Sequence, residues 1–404
     1  MHDEQGQTLG RGRLLILAAA CGAAAANIYY NQPMLGDIAR TLGARGGAIG
    51  LVPTATQIGF ALGLLFLLPL GDRLQRRSLI LTMSASLSVF LGLAAVAPSL
   101  AVLAVASALL GSVASMAQQI IAFGSQLAGQ ANRGKAVGSM MSGLLLGVLL
   151  ARTLSGTVTA FWSWRSMFGV AALLMVAVTA VLSASLPKLK ALTDLPYRGL
   201  LGSLWTLVRT DRVLREASLI GAMLFGAFSV FWSTLALHLE APPLHFHSGV
   251  AGLFGLLGAS GVLAAPMAGR AADRGRGHAV LWASCASVAV AFAVFAIGGM
   301  SLAGLVAGVI LLDLGVWSAQ IANQQRIFAT RPAARGRVNA VYMVSYFAGG
   351  AGGSALGTQA LSHGGWGLVS LAGGAMGCAA LLALARGRLV ARRAGPQLGD
   401  PGGA

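Results

Sequence analysis

Charged residues are scarce in this chain of 404 residues, and acidic residues are scarcer still. Only 10% of the residues are charged, whereas 56% are hydrophobic; in an ordinary soluble domain about a quarter of the residues are charged. So few charges could not cover a soluble particle that has this much apolar surface. The composition therefore excludes a set of soluble domains and indicates that most of the apolar side chains face lipid.

Cysteine is also nearly absent, which excludes a disulfide framework. The three cysteines are Cys21, Cys285 and Cys378, and each lies in an apolar segment, where cysteine behaves as a small hydrophobic residue. No spacing matches a recognised zinc-binding pattern. Residues 129–136 resemble a phosphate-binding loop but end in alanine, where Mg²⁺ binding needs serine or threonine. We therefore expect neither a metal nor another cofactor.

Long apolar segments fill most of the chain. A hydrocarbon core about 30 Å thick requires roughly 20 apolar residues per helix, and this criterion predicts twelve membrane-spanning helices. The separation of the third span from the fourth depends on Pro98 and Ser99. The predicted spans are 14–36, 47–70, 78–98, 100–122, 136–158, 166–186, 217–239, 248–268, 278–298, 301–323, 338–360 and 364–385.

The basic residues are concentrated between alternate spans. The chain has 28 Lys and Arg against 11 Asp and Glu, a net charge of +17, and nucleic acid is one possible partner of so basic a chain. If the N-terminus is cytoplasmic, however, 24 of the basic residues lie on that side and three on the other, while Arg152 lies within a span. Cytoplasmic segments are enriched in Lys and Arg. The distribution therefore predicts that both termini are cytoplasmic and that the chain does not bind nucleic acid.

The two halves of the chain repeat one pattern at a spacing of about 202 residues. Residues 27–32 align with 229–234, and both segments place two aromatic side chains between polar ones. Residues 133–135 align with 335–337, which are Arg-Gly-Lys and Arg-Gly-Arg. A parallel duplication of six helices is a recurring plan of transporters, which bind substrate between the repeats.

These observations predict an all-α membrane protein with twelve transmembrane helices in two pseudo-symmetric bundles of six. The predicted units are residues 1–186 for the N-terminal bundle, 187–216 for a cytoplasmic linker, and 217–404 for the C-terminal bundle with a basic tail.

Three segments carry a family resemblance. Residues 69–77, Pro-Leu-Gly-Asp-Arg-Leu-Gln-Arg-Arg, resemble the signature between helices 2 and 3 of the major facilitator superfamily, and residues 269–277 resemble its second copy. Residues 143–156 resemble the glycine-rich motif of the drug:proton antiporters in that superfamily. Arg152 stands where this motif normally has proline, and the arginine that these antiporters carry on helix 4 is absent, with Ser107 near its position.

The resemblance implies a secondary active transporter, not an enzyme, that works by alternating access in the inner membrane. It implies proton-coupled efflux of small hydrophobic or amphipathic compounds. Proton-coupled uptake of a small organic solute is the first alternative, and a non-transporting membrane receptor or scaffold is the second. The expected partners are a small-molecule substrate, protons and the lipid bilayer, and we expect a monomer.

Two charged residues lie within predicted spans, where charge is costly and usually marks function. Asp313 lies near the middle of span ten, and Arg152 lies in span five. At a rise of 1.5 Å per residue, the two residues differ by about 10 Å in height across the membrane. We predict that both take part in proton coupling. The alternatives are that Asp313 only hydrogen-bonds neighbouring helices and that Arg152 only locks two helices together.

Amide, hydroxyl and aromatic side chains are frequent in spans one, four, seven and ten, which line the central cavity in the family that the chain resembles. Such groups could bind an amphipathic molecule, or they could instead hydrogen-bond across helices. The predicted substrate-binding residues are Asn27, Tyr30, Asn31, Gln32, Gln118, Gln119, Trp232, Ser233, Trp317, Gln320 and Asn323.

The resemblance also implies a gate in the short turns after spans two and eight. Asp72 would contact the N-terminus of a helix in the opposite half, where a carboxylate is favourable, and would stabilise the outward-facing state. The alternative is a basic turn that only fixes topology. The predicted gating residues are Asp72, Arg73, Arg76, Asp273 and Arg274.

Overall fold

A computed structural model of the chain describes residues 10–187, 197–331 and 334–393; within them, the side chains of 130–131, 259, 262–266, 272–273 and 390–393 are excluded from the description. The described residues form helices and connecting turns and contain no strand. The all-α prediction is therefore confirmed.

The described part of the N-terminal half contains nine α-helices. They are α1 (Arg11–Ala26), α2 (Leu35–Leu42), α3 (Leu51–Leu62), α4 (Leu68–Arg73), α5 (Arg76–Ala95), α6 (Leu100–Ala114), α7 (Met116–Leu127), α8 (Gly129–Phe161) and α9 (Trp164–Ser185). The separation predicted at Ser99 is present, because the Ser99 hydroxyl accepts a hydrogen bond from the backbone N–H of Val102 and caps α6.

The C-terminal half follows the same plan after a linker helix, α10 (Tyr197–Thr210). Its helices are α11 (Arg212–Trp232), α12 (Leu235–Glu240), α13 (Ser248–Leu257), α14 (Ala259–Ala271), α15 (Gly277–Gly298), α16 (Leu302–Thr330) and α17 (Arg335–Arg393). Non-helical backbone at Gly364 and Gly365 divides α17 into the last two predicted spans. Helix α11 begins inside the predicted linker, because the Asp211 carboxylate accepts a hydrogen bond from Leu214 N–H and caps it there.

Nine helices of the described chain are long and apolar enough to cross a membrane, and one of these, Arg335–Leu389, contains two predicted spans. The first and eighth predicted spans are each divided into shorter helices. Large apolar side chains such as Val105, Leu173 and Leu371 are exposed on the outside of the bundles, as expected where lipid is the solvent.

The first span of each half is interrupted, which the sequence did not predict. Helix α1 ends at Ala26, residues 27–31 form a turn, and the chain continues through Pro33, which has no backbone N–H to donate, into α2. In the second half, Ser233 and Thr234 separate α11 from α12 at the equivalent position. The structural repeat thus matches the sequence repeat.

Glycine determines how closely the helices pack within each bundle. A Cβ atom on Gly147 would lie 2.5 Å from the Cα of Gly22, so α8 contacts α1 backbone to backbone. In the second half, a Cβ atom on Gly353 would lie 2.7 Å from the Cα of Gly226, where α17 crosses α11. Small residues at helix crossings allow this close approach in membranes.

Candidate functional site

Arg152 lies in α8 at the seam between the two halves. Its side chain is 3% exposed, and its Nε donates a hydrogen bond to Oε1 of Gln32 at 2.8 Å. Helix α13 approaches closely here because its facing residues are glycines: a Cβ atom on Gly255 would lie 2.7 Å from the Cβ of Arg152. The guanidinium is therefore held between elements of both halves.

Three aromatic rings surround the guanidinium; we call Tyr29, Phe228 and Trp232 the aromatic cage. The Cζ atom of Arg152 lies 4.7 Å, 5.4 Å and 4.0 Å from the centroids of these rings, respectively. A cation over an aromatic face gains about 0.5–2 kcal/mol, most where water is excluded. Tyr29 comes from the N-terminal half and the other two rings from the C-terminal half, so the cage spans the seam.

Asp313 lies in α16 and is 1% exposed. Its Oδ1 has no hydrogen-bond partner in the protein. The indole of Trp232 approaches the carboxyl group without meeting hydrogen-bond geometry. Asp313 and Arg152 are close enough to interact electrostatically, yet the ion pairs among the described side chains do not include one between them. The two predicted coupling residues therefore share one region without a direct salt bridge.

The predicted binding residues of span one line the break between α1 and α2. All four are buried, at 2–3% exposure. The Nδ2 of Asn31 donates to the hydroxyl of Thr56 at 2.9 Å, and the Nδ2 of Asn27 donates to the carbonyl of Ala23 at 2.7 Å. The amide Oδ1 atoms of both asparagines have no protein partner, so each retains an acceptor. The four residues are Asn27, Tyr30, Asn31 and Gln32.

A buried polar network beside Ser233 connects the two halves. The Nε2 of Gln57 donates to the hydroxyl of Ser354 at 2.8 Å, and the hydroxyl of Ser233 donates to the same oxygen at 2.8 Å. The hydroxyl of Ser229 also donates to Oε1 of Gln57, at 3.3 Å. The sequence analysis identified Ser233 but missed Gln57, Ser229 and Ser354, although the polar Gln57 within an apolar span was a readable signal.

The predicted residues of span four have different surroundings. Gln119 is fully buried, and its Nε2 donates to the carbonyls of Leu67 and Leu68 at 2.8 Å and 3.0 Å. These bonds connect α7 to the π-helical turn between α3 and α4, which favours the interhelical alternative for Gln119. Gln118 instead lines a cavity between the halves.

The predicted residues of span ten lie along α16 beyond Asp313. Trp317 is half-buried, and its ring packs against Gly261, where a Cβ atom would lie 2.3 Å from the ring. Gln320 is also half-buried, with its Nε2 at 3.8 Å from the sulfur of Met343 and its Oε1 unpartnered in the protein, and Asn323 is fully buried. Span ten therefore places one polar side chain, that of Asp313, near the aromatic cage and further polar side chains along the rest of α16.

The two bundles are joined firmly at one end; we call residues 36–57, 240–255 and 350–362 the sealed end. Arg40 of α2 forms ion pairs with Asp37 and with Glu240 of α12 in the opposite half. Burial lowers the pKa of Arg40, but the charges and hydrogen bonds of Glu240 and Asp37 outweigh this and raise that pKa above its ordinary value. The hydroxyl of Thr153 also donates across the seam to the carbonyl of Gly252 at 3.1 Å.

Glycine closes the rest of the sealed end. The Cα of Gly50 packs so closely against Thr358 that a Cβ atom would overlap the threonine side chain, and a Cβ atom on Gly47 would lie 2.6 Å from the amide carbon of Gln359. The sealed end is thus a direct contact between backbone and side chains of opposite halves.

At the opposite end the halves enclose a cavity of about 580 Å³, and the described side chains that line it come mainly from segments 68–76, 118–137 and 334–340. We call these three segments the open end. Asp72 lines this cavity and pairs with Arg76 at 2.6 Å within its own half. Residues 334–337, at the N-terminus of α17, line the other side. Asp72 therefore faces the helix N-terminus that the gate hypothesis requires, with the cavity between them.

Of the other predicted gating residues, the three whose side chains the structure describes do not bridge the halves. Arg73 is exposed at the end of α4, and Arg274 is exposed in the turn after α14. The side chain of Asp273 lies outside the described part of the structure. Arg76 is buried and donates through Nε to the carbonyl of Gly71 at 3.1 Å, so it holds the turn around Asp72 in place.

Two helical bundles with apolar outer surfaces, a buried charged site at their seam and an opening at one end define a multi-pass membrane transporter. The family model described as Major Facilitator Superfamily matches residues 15–353, and the chain therefore belongs to the Major Facilitator Superfamily.

Known relatives and structures agree with this assignment. The chain is 40% identical over 374 residues to the putative uncharacterized transporter YgaY of Escherichia coli, an alignment that covers 93% of this chain and 95% of the relative. It is 29% identical over 195 residues to multidrug resistance protein D of E. coli, covering 48% of this chain and 49% of that one. These relatives confirm a transporter and not an enzyme.

The fold is similar to that of a bacterial homologue of the human lysosomal transporter Spinster, whose crystal structure is described as inward-facing and unoccupied. The TM-score is 0.73 at 13% identity, with 96% of this chain and 98% of that chain covered.

Proposed function

We propose that the chain is a proton-coupled exporter of small hydrophobic or amphipathic compounds from the cytoplasm. In this proposal both termini are cytoplasmic, the open end faces the cytoplasm, and the chain works by alternating access in the inner membrane. The single observation that carries the proposal is Asp313, a carboxyl group that is buried at the seam without an ion-pair partner.

The contrast between the two ends supports the orientation. The open end is lined by Arg133, Arg335 and Arg337, and residues of this kind are enriched on the cytoplasmic side of membrane proteins. Because the open end carries them, its cavity would receive substrate from the cytoplasm. Arg40 and Arg45 at the sealed end are among the few basic residues of the other side.

The surroundings of Asp313 support its role as a proton carrier. A buried carboxylate is disfavoured by loss of hydration and favoured by a nearby cation. Asp313 and Trp232 come from the C-terminal half and Arg152 from the N-terminal half, so relative motion of the halves changes the distance between the carboxyl group and the guanidinium. Such a change would bind a proton in one state and release it in the other.

Two observations favour export. Residues 143–156 resemble the glycine-rich motif of drug:proton antiporters, and half of the chain is similar to a protein named for multidrug resistance. The aromatic cage and the apolar seam offer the kind of surface that binds amphipathic compounds.

Flux measurements in vesicles of both orientations test the proposal. The probes are three fluorescent compounds with one naphthalene body: 1-naphthalenesulfonate, (1-naphthylmethyl)trimethylammonium and 1-naphthalenemethanol. In inside-out vesicles with an acidic lumen, we expect the wild type to accumulate at least one charged probe, with alkalinisation of the lumen.

The variant Asp313→Asn removes the titratable group with little change in size. We expect it to abolish gradient-driven accumulation while retaining exchange of probe at equal concentrations, and we expect Asp313→Glu to recover part of the accumulation. Gradient-driven flux in Asp313→Asn equal to that of the wild type would rule out the carrier role. Accumulation only in right-side-out vesicles would favour uptake instead.

A further inference from the structure

Arg152 carries a binding capacity that the proposed proton coupling does not use. A guanidinium has five N–H donors in a planar fork, and the Arg152 side chain makes its hydrogen bond to Gln32 through Nε. Its Nη2 is buried and has no partner in the protein. A buried cation is costly unless it is compensated. The cage rings supply a part of that compensation, and the nearby carboxyl group of Asp313, which makes no direct ion pair, supplies another part.

The aromatic cage fixes the orientation of this fork. Trp232 lies 4.0 Å from the guanidinium carbon and Tyr29 lies 4.7 Å from it, so the rings restrict the plane of the group while its Nη2 edge keeps an unused donor. A planar fork held in this way matches the two oxygens of a carboxylate, sulfonate or phosphate. The same rings are the apolar neighbours of the guanidinium.

The occupied cage also argues against a cationic ligand. Rings that could attract a ligand cation already hold the guanidinium of Arg152. A second cation would have to displace it or bind beside it against like-charge repulsion. A ligand with negative charge is instead attracted by the guanidinium.

The open end carries charge of the matching sign. Its cavity is lined by Arg76, Arg133, Arg335 and Arg337, and Asp72, the acidic residue among its lining side chains, is paired with Arg76. A cleft lined by one sign of charge concentrates ions of the other sign and speeds their association. The entrance would therefore favour anions, as the unused donor of Arg152 does.

We propose that the substrate is an amphipathic organic anion, whose acidic group binds the Nη2 edge of Arg152 and whose apolar body packs against Tyr29, Phe228 and Trp232. This proposal depends on the proposed transport function and narrows its substrate class. Because Asp313 and Arg152 are not paired in the structure, the anion neutralises the guanidinium while Asp313 is free to carry its proton.

Equilibrium binding to the purified full chain in detergent, at one pH and without a gradient, tests the proposal separately from proton coupling. The probes are the same three naphthalene compounds, which differ in charge and share one aromatic body. Binding is followed by quenching of tryptophan fluorescence and by the change in Tm. We expect the sulfonate to bind at least tenfold more tightly than the trimethylammonium compound and the alcohol.

Substitutions locate the binding group. We expect Arg152→Gln to weaken sulfonate binding at least tenfold without changing the affinity for the alcohol, and Arg152→Lys to give an intermediate affinity. The matched control is Arg165→Gln, because Arg165 also lies over a tryptophan, at 4.1 Å from Trp164, but within one half. We expect this control to bind the sulfonate as the wild type does.

Three results would overturn the proposal: tighter binding of the trimethylammonium compound by the wild type, no measurable binding of any probe, or unchanged sulfonate affinity in Arg152→Gln. The preference of the wild type among the probes requires no variant, so the proposal stays testable if Arg152→Gln does not fold. If the wild type showed gradient-driven flux but bound the sulfonate no more tightly than the other probes, the substrate class would be rejected and the transport function would stand. If it bound the sulfonate preferentially but showed no gradient-driven flux, the transport function would be rejected and the anion site would stand.

Discussion

The sealed end and the open end differ in how the same two bundles meet. At the sealed end, Gly47 and Gly50 bring the N-terminal half against α17, and Arg40 and Glu240 form an ion pair across the seam. At the open end, Asp72 makes its ion pair within its own half, and a cavity of about 580 Å³ separates it from the N-terminus of α17.

The difference shows that the two ends use different interactions for closure. The sealed end closes through steric fit, with one exposed ion pair added, whereas the open end offers mainly charges and a helix N-terminus. Steric fit is the stronger constraint, because inserting atoms into a packed contact costs about 1–3 kcal/mol, while an exposed ion pair contributes about 0.2–1 kcal/mol. Labelling of a cysteine in the cavity measures the balance between the two ends.

The reporter is Ser125→Cys in a chain without its native cysteines. Ser125 lines the cavity, and its hydroxyl donates only to the carbonyl of Ala122 in its own helix, so the substitution is conservative. An impermeant maleimide added from the open end reports how often the cavity is accessible.

The largest effect is expected from Gly50→Leu. The leucine side chain would overlap Thr358, which is buried and hydrogen-bonded to Ser354, so the sealed end could not close. We expect labelling of the cavity to fall about tenfold or more, together with loss of probe flux. Gly352→Leu is the matched control, because no atom lies within 4 Å of a Cβ at Gly352; an equal loss in both variants would contradict a specific seal.

An intermediate effect in the opposite direction is expected from Asp72→Asn. If Asp72 closes the open end against the N-terminus of α17, its charge contributes about 1 kcal/mol there, and its removal leaves the cavity open more often. We expect labelling to rise about fivefold and flux to fall, with recovery in Asp72→Glu. Unchanged labelling and flux would contradict the gate hypothesis and would leave Asp72 with a role only in ordering its turn.

The smallest effect is expected from Glu240→Gln, which removes the ion pair with Arg40 and leaves the glycine contacts intact. Because Arg40 is largely exposed, we expect labelling to fall only about twofold. The control is Glu216→Gln, whose carboxylate pairs with Arg326 at 3.0 Å within the C-terminal half. If Glu240→Gln acted as strongly as Gly50→Leu, charge and not packing would hold the sealed end.

The sequence predicted the helical membrane fold because the lengths of the apolar segments and the internal repeat can be recognised without knowledge of tertiary contacts. The pairing of α1 with α8 through Gly22 and Gly147 was not predicted, because small residues recur throughout the chain and do not identify which helices meet. The interruptions did not follow from the sequence. Ile28, Tyr29 and Tyr30 are compatible with a continuous helix, and the break at Gly258 between α13 and α14 lies against α16, which is distant in sequence.

The candidate site was predicted only in part for the same reason. Arg152 and Asp313 were evident as charges within apolar spans, since burying a charge is rare whatever the fold. The cage was not evident, because Tyr29 and Phe228 resemble ordinary apolar residues until the halves pack together. Gln119, in contrast, was predicted to bind substrate, but its side-chain amide donates hydrogen bonds to the backbone of the neighbouring span.

The interrupted first helix of each half has a mechanical consequence. Helices α2 and α12 are short, are joined to α1 and α11 through non-helical residues, and meet each other at Arg40 and Glu240. A rotation at these joints would move α2 and α12 apart without bending α1 or α11. In the proposed cycle, the sealed end would thus begin to separate at α2 and α12 while the guanidinium of Arg152 is still enclosed by its aromatic cage.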